Sequence, residues 1–332
     1  MSGAQRRPGI VWETPGVSVF DTRELAWEPA PDVAPGARRK WLGGKDGEPQ
    51  ASLLFLPPDF PTGHEPAAAA PAAVDEFWFT LAGERSTWEF DGPAGQQGAL
   101  VRHRPGVAIH RRPGALHTVD AEFRSATGWT GIVVRDGGAA AAAAVPVPAF
   151  DRVAPTGGVP TAAAPGSGVI LDRAQVTAID SLRADWQPAA YFDLPPVSNK
   201  VLGRYPSGGT KMQILHFPPG LSLDRRPDDF PFYPPALRAA RHHHHRMLEL
   251  LYVLDGEMPV AEWESIEQQE GEFVWWREGI FAYRREGSLH GSMPGETSVT
   301  GVTILHFRLG GSESPIEPAF PEQVVVDVPF DT

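Results

Sequence analysis

The sequence repeats itself, in order, on either side of a low-complexity middle. "DTRELAWEPA" from Asp21 matches "DSLRADWQPA" from Asp180, so that Trp27 falls on Trp186 at an offset of 159. "KWLG" from Lys40 matches "KVLG" from Lys200, and "LLFLPP" from Leu53 matches "ILHFPP" from Ile214. "EFWFTLAGE" from Glu76 then matches "ELLYVLDGE" from Glu249, and "HRRPGALH" ending at His117 matches "YRREGSLH" ending at His290, both at an offset of 173. About a dozen extra residues in the second half, mostly "DRRPDDFPFYPPALRAA", account for the drift. Similarity that keeps its order marks a duplicated domain, so each copy has to adopt the same architecture.

The repeated segments decide what that architecture is. "STWEF", "TGIVV", "TKMQILHF", "EFVWW" and "TGVTILHF" are short, alternate apolar with polar, and are bounded by Gly or Pro, of which the 332 residues contain 35 each. That is the pattern of antiparallel strands in a small barrel or jelly roll, and no helical pattern of useful length competes with it. The expected fold is all-β, with one barrel over residues 1–136 and another over 169–332. Residues 137–168, rich in Ala, Pro and Gly, cannot build a core and are expected to link the two.

A formal net charge of -12 argues against nucleic acid or an anionic membrane as partner. There is no cysteine, which excludes disulfides, thiolate metal sites and a cysteine nucleophile. The opening residues lack the apolar core of a signal peptide, and no run reaches the roughly 18 apolar residues that span a bilayer. The expected location is the cytoplasm.

Chemistry concentrates in "RHHHHRMLELLYVLDG", residues 241–256. In a strand, i and i+2 share a face, so an H-x-H pair presents two imidazoles together. Glu249 follows His245 after three residues, and Gly256 follows Glu249 after six. Downstream, Gly279, Arg285, Gly287 and His290 are spaced G-x5-R-x-G-x2-H. These two stretches resemble the motifs of the cupin superfamily, G-x5-H-x-H-x3/4-E-x6-G and G-x5-P-x-G-x2-H-x3-N. Leu237, Arg285 and Pro294 depart from them at positions that do not bind metal. The duplication makes the whole chain similar to a bicupin, with two tandem jelly-roll barrels.

The resemblance implies metal ligands at His243, His245, Glu249 and His290. The alternative register, His242 and His244 with Glu249, satisfies the longer motif spacing equally. In the first half Ala70 and Ala72 stand where His243 and His245 stand, and only Glu76 and His117 remain of the ligand set. One divalent ion per chain is therefore expected, Fe(II) before Mn, Ni or Zn, with the first barrel metal-free. His216 and His306 fall on Phe55 and Val133 of the first half, which makes them candidates for substrate contact or ligand support, as are Tyr252, Trp275 and Tyr283. Alternation sends Trp275 and Trp276 to opposite faces, so one of them at most lines a cavity. Arg277, Arg284 and Arg285 are candidate anchors for an anionic substrate.

Cupins with this ligand set include dioxygenases, decarboxylases, isomerases and lyases. The expected function is a metal-dependent, dioxygenase-type oxidoreductase acting on a small organic substrate. The alternatives are an oxygen-independent lyase, isomerase or decarboxylase, and a non-catalytic ligand-binding bicupin. Exposed sheet edges would allow a homodimer.

Overall fold

A computed structural model describes residues 8–44, 48–60, 68–90, 98–120, 123–137, 145–146, 166–189, 197–204, 210–220, 242–245, 248–263, 272–286, 288–291, 298–309 and 323–326. Every regular element among them is a strand, and no helix is long and apolar enough to cross a membrane. The fold is all-β. Almost all of the 137–168 stretch lies outside the described residues, as does the Pro-rich insertion of the second half.

The chain divides into two units, residues 27–185 and residues 1–26 with 186–332. In the first, Asp75–Gly83 is the central strand, flanked by Val107–Arg111 and Trp129–Asp136, and a second sheet is built on Arg85–Phe90 and Leu116–Val119. In the second, Leu248–Trp263 has the central place, flanked by Ile280–Arg284 and Val302–Leu309, and bends far enough to pair with Glu272–Arg277 and Leu289–Gly291 as well. Equivalent strands pair in equivalent register. Ala70 lies opposite His117 in one unit and His243 opposite His290 in the other, an offset of 173 at both ends of each pair.

The unit boundaries differ from those read from the sequence. The hairpin Ile10–Glu13 and Val17–Asp21 adds to Ile280–Arg284, with Val17 opposite Arg284 and Asp21 opposite Ile280. Its counterpart, Val169–Asp172 and Val176–Asp180, adds to Val107–Arg111, with Val176 opposite Arg111. Each half's opening hairpin thus completes the other half's sheet. The physical reason is that the duplicated hairpins carry the same apolar pattern and the same anchor, so either sheet edge accepts either copy. Buried Asp21 accepts hydrogen bonds from Arg23 and Arg277, and buried Asp180 accepts one from Arg104. Side-chain hydrogen bonding from Arg23 holds the Asp21 carboxyl down at about 2.

Alternation builds the two cores. In the second unit Leu251, Val253, Val260, Trp276, Ala282 and Ile304 pack with Val17 and Val19 of the exchanged hairpin. In the first, Trp78, Val101, Ile109, Trp129 and Val133 pack with Val176 and Ala178. The glycine that ends each central segment is required by its turn. Gly83 and Gly256 have φ of 71° and 78°, and a Cβ there would sit 2.0 and 2.1 Å from the carbonyl oxygens of Gly128 and Gly301.

This topology makes a fragment test. Residues 27–185 expressed alone are expected to fold cooperatively, because they carry every strand of their own unit. Residues 1–136, the boundary suggested by the sequence, lack the hairpin that pairs with the outer edge of Val107–Arg111. Urea unfolding followed by circular dichroism checks this; a cooperative 1–136 fragment would show that the exchanged hairpin is dispensable.

Candidate metal centre

The alternation that fills the second core with apolar side chains places charged ones at one end of it. Glu249 precedes Leu251, Glu262 follows Val260, Arg284 follows Ala282, His306 follows Ile304 and Gln213 precedes Leu215, all on the same faces as those core residues. All five are buried.

They form one hydrogen-bonded network. Arg284 donates from Nη1 to Glu249 Oε2 at 2.8 Å and from Nε to Glu262 Oε1 at 3.2 Å, its Nη2 also reaching Glu262. Asn199 donates its amide to Gln213 Oε1 at 2.9 Å, which fixes the orientation of the Gln213 side chain. Gln213 Nε2 therefore donates to His306 Nδ1, also at 2.9 Å, and His306 must carry its proton on Nε2. That proton goes to Glu249 Oε1 at 2.9 Å. Glu249 is held from both oxygens, by Arg284 and by the His306 imidazole. Burial raises Glu262 to about 7 against the pull of Arg284. Burial opposes the charge of Arg284 too, but Glu262 and Glu249 keep its pKa above the ordinary value. The Arg284 guanidinium also stacks on the Trp276 ring, 4.6 Å from its centroid.

His290 joins the group from the neighbouring sheet. Its Nε2 is 3.6 Å from Glu249 Oε2, beyond hydrogen-bond contact. Two donors each about 2.1 Å from a shared ion lie about 3.0–3.6 Å apart, so the spacing suits a pair of metal ligands. His243 is the residue opposite His290 in the ladder and His245 is opposite Gln323; their side chains lie outside the described residues. Among the described residues no three His, Asp or Glu side chains are disposed to hold an ion by themselves.

The remaining sequence candidates separate cleanly. His306 belongs to the network. His216 does not: it lies one residue off the Gln213 face, bonds Thr303 Oγ1 at 3.1 Å and packs against Trp186. Tyr252 and Tyr283 also fall on the opposite face from Glu249 and Arg284, Tyr252 bonding Thr22 and Tyr283 lying under the Arg285 guanidinium. Trp275 is 41% exposed beside Phe273, and Trp276 is the tryptophan that reaches the interior. Of the candidate anion anchors, Arg277 is paired with Asp21, Arg285 bonds the Pro15 carbonyl, and Arg284 is held by two carboxylates.

Glu262, Gln213 and Asn199 were not anticipated, and a signal for the first of them exists. Glu89 and Arg111 recur as Glu262 and Arg284 at the same 173-residue offset, and Arg111 Nε donates to Glu89 Oε2 at 2.8 Å as its counterpart does to Glu262. A Glu and an Arg kept 22 residues apart in both copies is what a buried ion pair leaves in a duplicated sequence.

No family model matches the sequence, and no curated protein sequence matches it. The structure, by contrast, has neighbours over nearly its full length. A candidate dioxygenase from Nostoc punctiforme aligns with a TM-score of 0.58 at 13% identity, covering 98% of this chain and 92% of that one. Oxalate decarboxylase from Lactobacillus farciminis, solved as a formate complex, aligns at 0.52 and 12%, covering 93% and 88%. A Pseudomonas aeruginosa protein described as glyoxylate-induced aligns at 0.54 and 17%, covering 92% of each. The fold is that of a bicupin. At these identities the likeness is one of architecture, and the chemistry of this chain has to be argued from its own side chains.

Within the bicupin the Arg284 bridge is directly testable. Arg284→Leu leaves Glu249 and Glu262 buried without a cation and is expected to lower stability by about 3–5 kcal/mol. Adding Glu262→Gln should recover part of the loss. Denaturant unfolding of the two variants checks both statements, and an unchanged midpoint for Arg284→Leu would contradict the first.

Proposed function

We propose that the second barrel holds one divalent metal ion through His243, His245, Glu249 and His290, and that the protein is a metal-dependent enzyme acting on a small organic substrate. The observation that carries this reading is the register. Residues opposite each other in an antiparallel ladder belong to one face, which groups His243 with His290 and, two residues on, with His245. That grouping favours the His243/His245 register over His242/His244. The 3.6 Å separation of His290 and Glu249 supports a shared ion. Fe(II) is the ion this reading prefers, and Mn, Ni and Zn suit the same donors. When bound, such an ion binds and polarises a chelating substrate at positions the protein leaves open.

The chain's own residues prepare that site. His306 and Arg284 fix the Glu249 carboxylate so that it is not free to rotate. The Asn199–Gln213 relay orients the His306 ring so that its Nε2 faces Glu249. Leu251 and Trp276 close the buried end against water. Dioxygenase-type oxidation is the first reading of the reaction, in keeping with the architecture shared with the Nostoc punctiforme protein. An oxygen-independent lyase, isomerase or decarboxylase reaction is the second, and the likeness to oxalate decarboxylase favours decarboxylation within it. Oxygen uptake accompanying substrate loss distinguishes the two.

The experiment is metal analysis of protein purified without a histidine tag. About one ion per chain is expected, strongly reduced in His290→Ala and unchanged in His117→Ala. Metal content should also fall as the pH drops below about 6, because coordinating imidazoles must be neutral. Two ions per chain, or loss of metal on changing His117, would overturn the reading.

A further inference from the structure

The first barrel keeps the Glu–Arg–Glu bridge of the second but surrounds it with different chemistry. Arg111 donates to Glu89 from Nε at 2.8 Å and from Nη2 at 2.6 Å, and lies 3.7 Å from Glu76, which Arg135 also pairs at 2.8 Å. Arg85 adds a further guanidinium. It is 4% exposed, has no ion-pair or hydrogen-bond partner among the described residues, and its Nε is one of the buried atoms left without one. It sits against two indole rings instead, 4.2 Å from the centroid of Trp78 and 5.1 Å from that of Trp129. Arg135 is half exposed, so the buried groups are two guanidiniums and two carboxylates, and Arg85 is the guanidinium without a carboxylate of its own. An aromatic ring returns only part of what a buried cation loses on leaving water.

The neighbouring imidazoles do not supply Arg85 with a partner, and they add open acceptor atoms. Around the same Trp78 ring lie Arg111 at 4.9 Å, His117 at 5.9 Å and His103 at 6.4 Å. Thr87 has a single hydroxyl proton and donates it to Glu89 Oε1 at 2.6 Å. The 2.6 Å contact between Thr87 and His103 Nε2 is therefore donated by His103, and His103 Nδ1 is a bare acceptor with no partner. His117 Nδ1 is likewise buried without a hydrogen-bond partner, and Arg111 Nη1 has only the 3.7 Å approach to Glu76. Burial and the nearby guanidiniums push both imidazoles well below their ordinary pKa. None of this recurs in the second barrel, where Met258 occupies the Arg85 position, Leu251 that of Trp78, Trp276 that of His103 and Val302 that of Trp129.

We propose that the first barrel is an anion site, in which Arg85, beside Arg111 and between Trp78 and Trp129, binds a small monocarboxylate. Glu89 is taken up by Arg111 and Glu76 by Arg135, which leaves Arg85 without an anionic partner, and the planar fork of a guanidinium matches the two oxygens of a carboxylate. The rings of Trp78 and Trp129 suit the short apolar body of such an acid. The site is independent of the metal assigned to the other barrel.

Calorimetric titration of the full chain with sodium acetate, against sodium chloride at equal ionic strength, tests this. Acetate is expected to bind once per chain and chloride much more weakly. Arg85→Met, which installs the residue found in the other barrel, should weaken acetate binding by roughly ten- to hundredfold without changing metal content. Arg85→Lys, which keeps the charge and loses the fork, should fall between; it provides the comparison if Arg85→Met does not fold. Absence of acetate binding to the parent chain, equal binding of chloride, or full acetate affinity in Arg85→Lys would each overturn the proposal.

Discussion

In each barrel one guanidinium holds two carboxylates at the charged end of an otherwise apolar core, Arg111 with Glu76 and Glu89, Arg284 with Glu249 and Glu262. The interaction is a constraint more than a source of stability, since desolvating three charges costs about what their attraction returns. Its effect is on geometry. Glu249 is one of the proposed metal ligands, and a carboxylate on a flexible side chain would otherwise sample several rotamers. Bound by Arg284 through one oxygen and by His306 through the other, it has a single orientation before any ion or substrate arrives.

That constraint leaves a different mark on the sequence from the one left by the ligands. The repeat and the alternating strands were legible because each rests on local pattern, and the duplication doubled every observation. His290 and Glu249 were legible because motif spacing is local too. Of the partners that position them, His306 stood out by its mismatch with Val133, whereas Gln213, Asn199 and Glu262 did not. Gln213 and His306 are 93 residues apart and meet only because their strands are neighbours in the sheet. Tyr252, Tyr283 and Trp275 look eligible by composition and proximity in sequence, but strand parity sends them to the other face. Parity was available in advance for Trp275 against Trp276, yet choosing between them required knowing which face carries Glu249.

The exchanged hairpins escaped the sequence for a related reason. Val17–Asp21 and Val176–Asp180 are equivalent by duplication, so nothing in either one states which sheet edge it joins. The anchor is equivalent as well, Asp21 to Arg277 in one unit and Asp180 to Arg104 in the other. Once two copies shared one chain, pairing across them satisfied the same hydrogen bonds as pairing within them. A boundary drawn at the low-complexity stretch therefore cuts each unit off from two of its strands.

Duplication also frees one copy to change its chemistry while the other keeps it, and the side chains of the two interiors differ accordingly. Around the second bridge the available donors are imidazoles, His306 and His290, which leaves the two carboxylates to balance Arg284 and to favour a cation. Around the first, Arg85 stands at the position of Met258 and alanines at those of His243 and His245, so a buried guanidinium without a carboxylate of its own is present where the histidine pair is not. A divalent ion and a carboxylate would be opposite demands on one architecture, and the two proposals differ in side chains carried on strands that pair in equivalent register. The shared bridge explains why the change is tolerated. Arg111 and Glu89 satisfy one another in either setting, so the fold of the first barrel does not depend on whether the site beside them binds metal, an anion or nothing.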